Sequence, residues 1–421
     1  MKKFLALFLA IVMVLSATAI FSGCDKKVDD EKGSVYYLNF KPEFNDALTD
    51  LAKKYTEKTG IEVKVVTAAS GDYSNTLNAN IEDVTIFNIG NAAGLADWDD
   101  YALDLTDSAI AKELTTNDFN LYNAKGELKA IGNCYESFGI IVNTKLLKDA
   151  GHSLDEIKDF ASLKAVVEDI HGRAAELGFD AFTTSGLQDA SSWRFSGHLA
   201  TLPLHYEGVK SAVPTIKGDK LDLFKNVWDL YINNAAADKT GLTGESDAAA
   251  EFKAGKAVFY QNGTWEYAGL KEAGMTDDQL AMIPIYCGAE GEQNAALCSG
   301  TENCWAINAK ASEADQKASI DFLVWLVSDK EASAVYVEQL GAVPFKNAPA
   351  STNKFVADGN AMLAAGKTSI SWAFNYTPNV DSWRATVVTA LAAYSAGTKD
   401  WSEVEKAFVE GWEIEYKAVN G

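Results

Sequence analysis

Basic residues are in short supply in this 421-residue chain: 37 Lys and Arg stand against 59 Asp and Glu, a formal net charge of −22. Binding to nucleic acid rests on cationic contacts to phosphate, so this balance argues against it. It equally disfavours an electrostatic hold on anionic lipid, and its plainest reading is solubility. Histidine is scarcer still. His152, His171, His198 and His205 are not spaced for metal ligation, and no D-x-D-x-D-G calcium loop occurs. The cysteines Cys134, Cys287, Cys298 and Cys304 form no C-x-x-C pair. A Cys298–Cys304 disulfide and buried free thiols are both compatible with an exported chain.

G-x-S-x-G, H-E-x-x-H and G-x-x-x-x-G-K-[ST] are also missing. Their absence removes the commonest hydrolase elbow, the zinc-protease helix and an ATP loop. Nothing calls for a cofactor or a metal. So many acidic residues supply ample candidates for the paired carboxylates of a glycoside hydrolase, so a lipid-anchored glycan hydrolase is a rival reading. No repeat at solenoid or propeller period is present, which disfavours a repeat-built adhesive protein.

What is present suits a soluble globular chain of two domains: 48% hydrophobic and 23% charged residues over a length too great for one ordinary core. At the N-terminus, Lys2 and Lys3 precede an apolar stretch from Phe4 to Ile20. Ser22 and Gly23 then lead into Cys24. That layout predicts a secretory signal over residues 1–23. Phe21-Ser22-Gly23-Cys24 resembles a bacterial lipobox, with Phe in place of the usual Leu. The resemblance implies cleavage before Cys24 and a lipid on its thiol, at the outer face of a membrane. Residues 24–33 then read as a polar tether. The rival for the apolar stretch is a spanning anchor.

Along the mature chain, Ser34 to Phe40 and Ile61 to Val66 read as strands around a helix from Glu43 to Thr59. Phe44, Ala47, Leu48, Leu51, Ala52 and Tyr55 fall on its apolar face, and Gly60 ends it. This βαβ order predicts a parallel sheet. Val84 to Ile89 and Phe138 to Val142 continue the strands. A helix over Ser312 to Ser328 aligns Ile320, Leu323, Val324 and Val327; one over Trp401 to Tyr416 aligns Val404, Phe408, Trp412 and Ile414. The pattern is α/β throughout, with no flexible linker between the two lobes.

Five segments in order resemble the extracellular solute-binding proteins of carbohydrate ABC importers, the family of maltose-binding protein. They are YYLNFKPEFNDALTDLAKKYTEKTGIEVKVV (36–66), VTIFNIGN (84–91), AIGNCYESFGIIVNTKLLKDAG (130–151), AAAEFKAGKAVFYQNGTWEYAGL (248–270) and SGTENCWAINAKASEADQKASIDFLVWLVSDKEA (299–332) with LGAVPF (340–345). The resemblance implies a two-lobed periplasmic-binding-protein-like α/β fold with a multi-segment hinge and an interlobe cleft. The first lobe would hold residues 34–135 and 298–342, the second 139–295 and 346–421. Crossings would lie near Cys134–Phe138, Asn294–Ser299 and Gly341–Phe345. It further implies a monomer that captures a sugar or oligosaccharide, closes about its hinge and docks on the permease subunits of an ABC transporter. A receptor for a polyamine or peptide is the alternative.

A sugar offers flat C–H faces and a rim of hydroxyls, so its site needs aromatic platforms and charged or amide partners. Trp228, Trp325, Trp401 and Trp412 sit in helical patterns and read as core. Trp193, Trp265, Trp372 and Trp383 stand in loops or at element starts with polar neighbours, so they are the platform candidates. For Trp193, Trp265 and Trp383 the resemblance strengthens this reading. Lys41 and Glu43 follow the first strand, and Asn88 and Asn91 the third, at the sheet edge where open α/β sheets bind ligands. Glu136 lies in the first crossing, Arg194 and His198 follow Trp193, and Glu302 sits in a Gly-Thr-Glu-Asn turn after a crossing.

Overall fold

The computed structural model describes residues 32–68, 70–235 and 247–421. The side chains of residues 43, 70, 71, 93, 189 and 190 lie outside that description, as do the N-terminal apolar stretch and Cys24.

The first sheet grows from the N-terminal βαβ unit. β1 (Val35–Asn39) and β2 (Val63–Thr67) pair in parallel with Val35 opposite Val63. The helix Asn45–Thr59 between them buries Leu48, Leu51, Ala52 and Tyr55, which recur at helical spacing and so make one apolar stripe. Gly60, at φ 76°, ends it by taking the left-handed conformation that side chains resist. β3 (Ile86–Ile89) adds in parallel beside β1, and β4 (Leu121–Tyr122) with β5 (Leu128–Gly132) forms an antiparallel pair at the far edge. Successive strand residues point to opposite faces. Val35, Tyr37, Ile86 and Ile131 thus enter one core, while Leu38, Phe87, Ile89 and Ala130 enter another on the reverse face.

The chain then leaves for a second sheet made of β6 (Glu136–Asn143), β7 (Asp180–Phe182), β8 (Ala257–Gly263), β9 (Leu280–Ile283) and β10 (Ala295–Gly300). It returns to insert β11 (Cys304–Ile307) antiparallel between β3 and β5, and finally gives β12 (Thr368–Ser371) to the second sheet, parallel to β10. β6 is the spine of that sheet: β8 lies on one side, β9 and β10 on the other. Phe138, Ile140 and Val142 face the larger core; Ile141 faces the smaller.

The fold is therefore two α/β lobes. The chain passes between them at Asn133–Tyr135, at Thr301–Asn303 and after Gly341. These crossings are laced together. The Asn133 amide donates to Asn303 O and the Tyr135 amide to Ala342 O, each at 2.9 Å. The Tyr336 hydroxyl donates to Asn133 Oδ1 at 2.8 Å. The second crossing falls later in the chain than the sequence pattern suggests, because Ala295–Gly300 pairs with β6 and β12 and thus belongs to the second sheet.

Two helical readings shift, and of the two cysteine alternatives the free thiols hold. On the C-terminal helix (Trp401–Asn420), Trp401, Val404, Phe408 and Trp412 are buried, but Ile414 turns outward. On the helix Glu313–Ser328 the stripe is rotated toward Ala318, Phe322, Leu323, Leu326 and Val327. Cys298 and Cys304 lie in different sheets, and all four described cysteines are buried free thiols. Among the described residues no helix is long and apolar enough to cross a membrane.

Candidate ligand-binding site

Where β1 ends, Asn39 folds the chain over itself. Its Oδ1 accepts from the Lys41 amide at 3.1 Å and its Nδ2 donates to Lys41 O at 2.7 Å. This holds Lys41 at the mouth of the gap between lobes, with its ammonium 2.8 Å from Glu136 Oε1 at the start of β6. Glu302 stands in the second crossing. Burial first, and the neighbouring Glu136 second, push its carboxyl up to about 7, against the opposing pull of Lys41.

The opposite wall comes from the second lobe. A short 3₁₀ turn, Asp189–Ser192, runs into a single π-turn, Arg194–His198, a geometry common at functional sites. The turn buries Arg194, whose Nε donates to Gln261 O at 2.7 Å and whose guanidinium faces the Tyr260 ring at 4.9 Å. His198 lies flat on Phe138, with ring centroids 4.0 Å apart. It accepts from Gln261 Nε2 at 3.0 Å, so the proton of its neutral form sits on Nε2. Burial first, then Arg194 and Arg384, hold its pKa down to about 3.

From His198 a row of rings runs along the wall. Trp265 meets His198 edge-on at 5.6 Å, Phe138 stacks on Trp372 at 5.3 Å, and Phe374 bridges Trp372 (5.6 Å) to Trp193 (6.0 Å). Glycines make room for the three indoles. A Cβ on Gly263 would come within 2.2 Å of Trp265, one on Gly197 within 2.7 Å of Trp193, and one on Gly300 within 2.5 Å of Trp372. Trp265 remains 41% exposed, an open platform.

These groups enclose about 780 Å³ between the lobes. Lys41, Glu136, Trp193, Arg194, His198, Trp265, Glu302 and Trp372 all line it. A second chamber of about 600 Å³ shares Trp372 with the first and extends past Tyr135. Asn91 lines that chamber while capping the helix Ala92–Trp98 through its Oδ1. Two of the predicted residues are elsewhere. Asn88 is buried within β3. Trp383 is fully buried, donating to Phe408 O at 2.9 Å and packed edge-on against Phe408 and Trp412. Its polar neighbours disguised a core position on the helix Val380–Ser395, which faces inward one residue before Arg384. The side chain of Glu43 lies outside the described residues.

Sequence reasoning missed Arg384, a buried residue that braces the Trp193 platform. Its guanidinium lies 3.3 Å from the Trp193 ring centroid and donates to Ser192 Oγ and Ser196 Oγ. Sequence reasoning also missed Tyr260, Asn262, Glu266 and Phe374, which line the cleft. Glu266 and Phe374 were within two positions of chosen tryptophans, and the period-two facing of β8 carries Tyr260 and Asn262 together. Among the described residues no group of His, Cys, Asp and Glu is placed to hold a metal. The arrangement can stack flat apolar faces and pair with polar rims.

Solved structures share this architecture. The putative binding protein MsmE of Bacillus subtilis, in an open conformation, superposes with a TM-score of 0.73 at 14% identity, covering 93% of this chain and 98% of that one. The apo form of RafE from Streptococcus pneumoniae gives 0.71 at 16% identity, covering 94% and 100%. The GacH receptor of Streptomyces glaucescens gives 0.65 at 19% identity, covering 92% and 99%. No curated protein sequence matches the chain significantly. Residues 50–364 match the profile of the bacterial extracellular solute-binding proteins. Because that match spans most of the chain, the protein is a member of the bacterial extracellular solute-binding protein family.

Proposed function

We propose that this protein captures a sugar or oligosaccharide in the cleft between its lobes and hands it to the permease subunits of an ABC importer. The observation that carries the reading is the row of rings on one wall, Trp265, Trp372 and Trp193, opposite the Lys41–Glu136 pair and Glu302. Sugar rings present C–H faces to indoles and hydroxyls to charged groups, which is the complement of this wall. RafE has been solved with raffinose and GacH with acarbose, both carbohydrate ligands in proteins of the same fold.

In this reading the protein binds and releases its ligand without chemistry. It acts as a monomer, tethered outside the cell by lipid on Cys24. The first lobe, built on the N-terminal βαβ unit, closes on the second about the three laced crossings, a rigid-body motion. Ligand contacts fall to Trp193, Trp265, Trp372, Lys41, Glu136, Arg194, His198 and Glu302. Asn91 reaches a ligand long enough to enter the second chamber.

The test is calorimetric titration of a panel of mono- to tetrasaccharides, with a melting-temperature screen beside it. A ligand bound only by the native state must raise the melting temperature. A saturable sugar with no turnover by chromatography supports the reading. Silence across the panel, or release of shorter sugars, would end it.

A further inference from the structure

Charges around the cleft mouth do not cancel. Two cations act on Glu302, and each already has its own carboxylate. Lys41 meets Glu136 at 2.8 Å, and Arg384 meets Asp381 at 3.3 Å. Glu302 itself accepts no hydrogen bond from a described residue, although it is largely enclosed and lines the cleft. On the opposite wall, Glu266 accepts from Asn262 at 3.0 Å, and Asp247 caps a helix by accepting from the Ala250 amide at 2.8 Å. The remaining cation, Arg194, is turned to Gln261 O and Thr184 O. Of the residues that line this chamber, Glu136, Asp247, Glu266 and Glu302 are carboxylates and only Lys41 and Arg194 are cations, with His198 held neutral.

The second chamber is different in character. Asn91, Asn120, Thr115, Thr301 and Asn375 line it together with one acid, Asp118, and one base, Lys367, so its charges balance; beside them Phe119 stacks on Tyr135 at 4.7 Å. Amides, hydroxyls and a flat ring pair suit a neutral polyhydroxylated segment.

We propose that the ligand carries a protonated amine which seats on Glu302, with a neutral glycan portion extending past Trp372 into the second chamber. The inference rests on the carbohydrate reading above and narrows it to amino-bearing glycans. An ammonium there pairs with the lining carboxylate that has neither an ion-pair partner nor a hydrogen-bond donor among the described residues. Across the same chamber stands the open Trp265 ring, whose face attracts cations. A neutral sugar would leave that carboxylate enclosed without a counter-charge, which is costly.

The test uses matched pairs. Free-amine and N-acetylated glucosamine and galactosamine, as monomers and as β-1,4 and α-1,4 oligomers, are titrated beside maltotetraose and spermidine. At least one free-amine glycan should bind roughly tenfold or more tighter than its acetylated partner, a difference on the scale of one ion pair with an enclosed carboxylate. Raising salt should shrink the gap. In Glu302→Gln the two members of a pair should bind alike. A glycan that binds equally well or better in its acetylated or neutral form overturns the proposal and leaves the carbohydrate reading standing. A preference that survives in Glu302→Gln also overturns it. Binding of spermidine alone keeps the ammonium seat and overturns the glycan portion. Binding of nothing in the panel overturns both.

Discussion

Lys41 and Glu136 join the two lobes through an ion pair of 2.8 Å, although 95 residues separate them in the chain. Lys41 is set by the Asn39 turn at the end of β1, and Glu136 by the first residue of β6, so neither side chain reaches the other within its own sheet. Both side chains are mostly shielded, at 12% and 18% exposure. Removing one partner leaves the other poorly solvated. Lys41→Met should therefore cost about 1–3 kcal/mol of stability, and the double variant with Glu136→Gln less than the sum of the singles. A double-mutant cycle in urea measures this; strictly additive losses would mean that the pair contributes nothing.

Gly263 and Gly300 should respond oppositely to the same change. Alanine at Gly263 pushes on Trp265, an open indole that can swing away. The protein should melt nearly normally while ligand affinity falls by roughly 5- to 30-fold, the equivalent of losing about 1–2 kcal/mol of stacking. Alanine at Gly300 pushes on Trp372, which is buried and donates to Cys298 O at 2.9 Å. It should lower the melting temperature, because a packed ring cannot yield without strain. Tryptophan fluorescence and thermal melts separate the two.

His198 and Glu302 give stability opposite pH slopes. The His198 pKa lies near 3 in the fold and 6.5 unfolded, so the unfolded chain binds the extra proton between those values. Its contribution is complete above about pH 6.5 and is lost as pH falls toward 3, by up to about 1.4 kcal/mol per unit. The Glu302 carboxyl is raised from 4.5 to about 7. Its contribution is present below 4.5 and lost as pH rises through 7. Glu302→Gln should thus be more stable than the parent at pH 8 with little difference at pH 4.5, and His198→Gln should flatten the acid slope. Urea midpoints at pH 5, 7 and 8 decide.

Glu292 is a buried carboxylate spent wholly on backbone. It accepts from the amides of Phe160 (2.7 Å), Cys287 (2.6 Å) and Gly288 (2.8 Å), tying the helix Phe160–Gly172 to the strand-to-loop turn at Cys287. Alanine there strands three donors. The loss should be at least about 3 kcal/mol, with Gln recovering part of it. A melting temperature unchanged by Glu292→Ala would refute the assignment.

Much of the architecture was readable before any coordinates. The N-terminal βαβ unit follows from Leu48, Leu51, Ala52 and Tyr55 at helical spacing and from Gly60 behind them, since local periodicity and a left-handed cap are properties of short stretches. Lys41, Glu136, Trp193, Trp265 and Glu302 could be chosen because loop settings, crossings and strand ends are also local features.

Facing is another matter. Whether Trp383 or Arg384 reaches Trp193 depends on how the helix Val380–Ser395 is rolled against Phe408 and Trp412, residues some twenty-five or more positions away. Likewise, Ile414 is left exposed while Trp412 is buried, and Glu302 is left without a cation because Lys41 and Arg384 were claimed by Glu136 and Asp381. Sequence alone determined the elements, their order and the residue types available to the cleft, because those follow from spacing along the chain. The roll of each helix and the partner of each charge were decided only by the tertiary structure, because burial and Coulomb pairing are settled among groups the chain brings together from far apart.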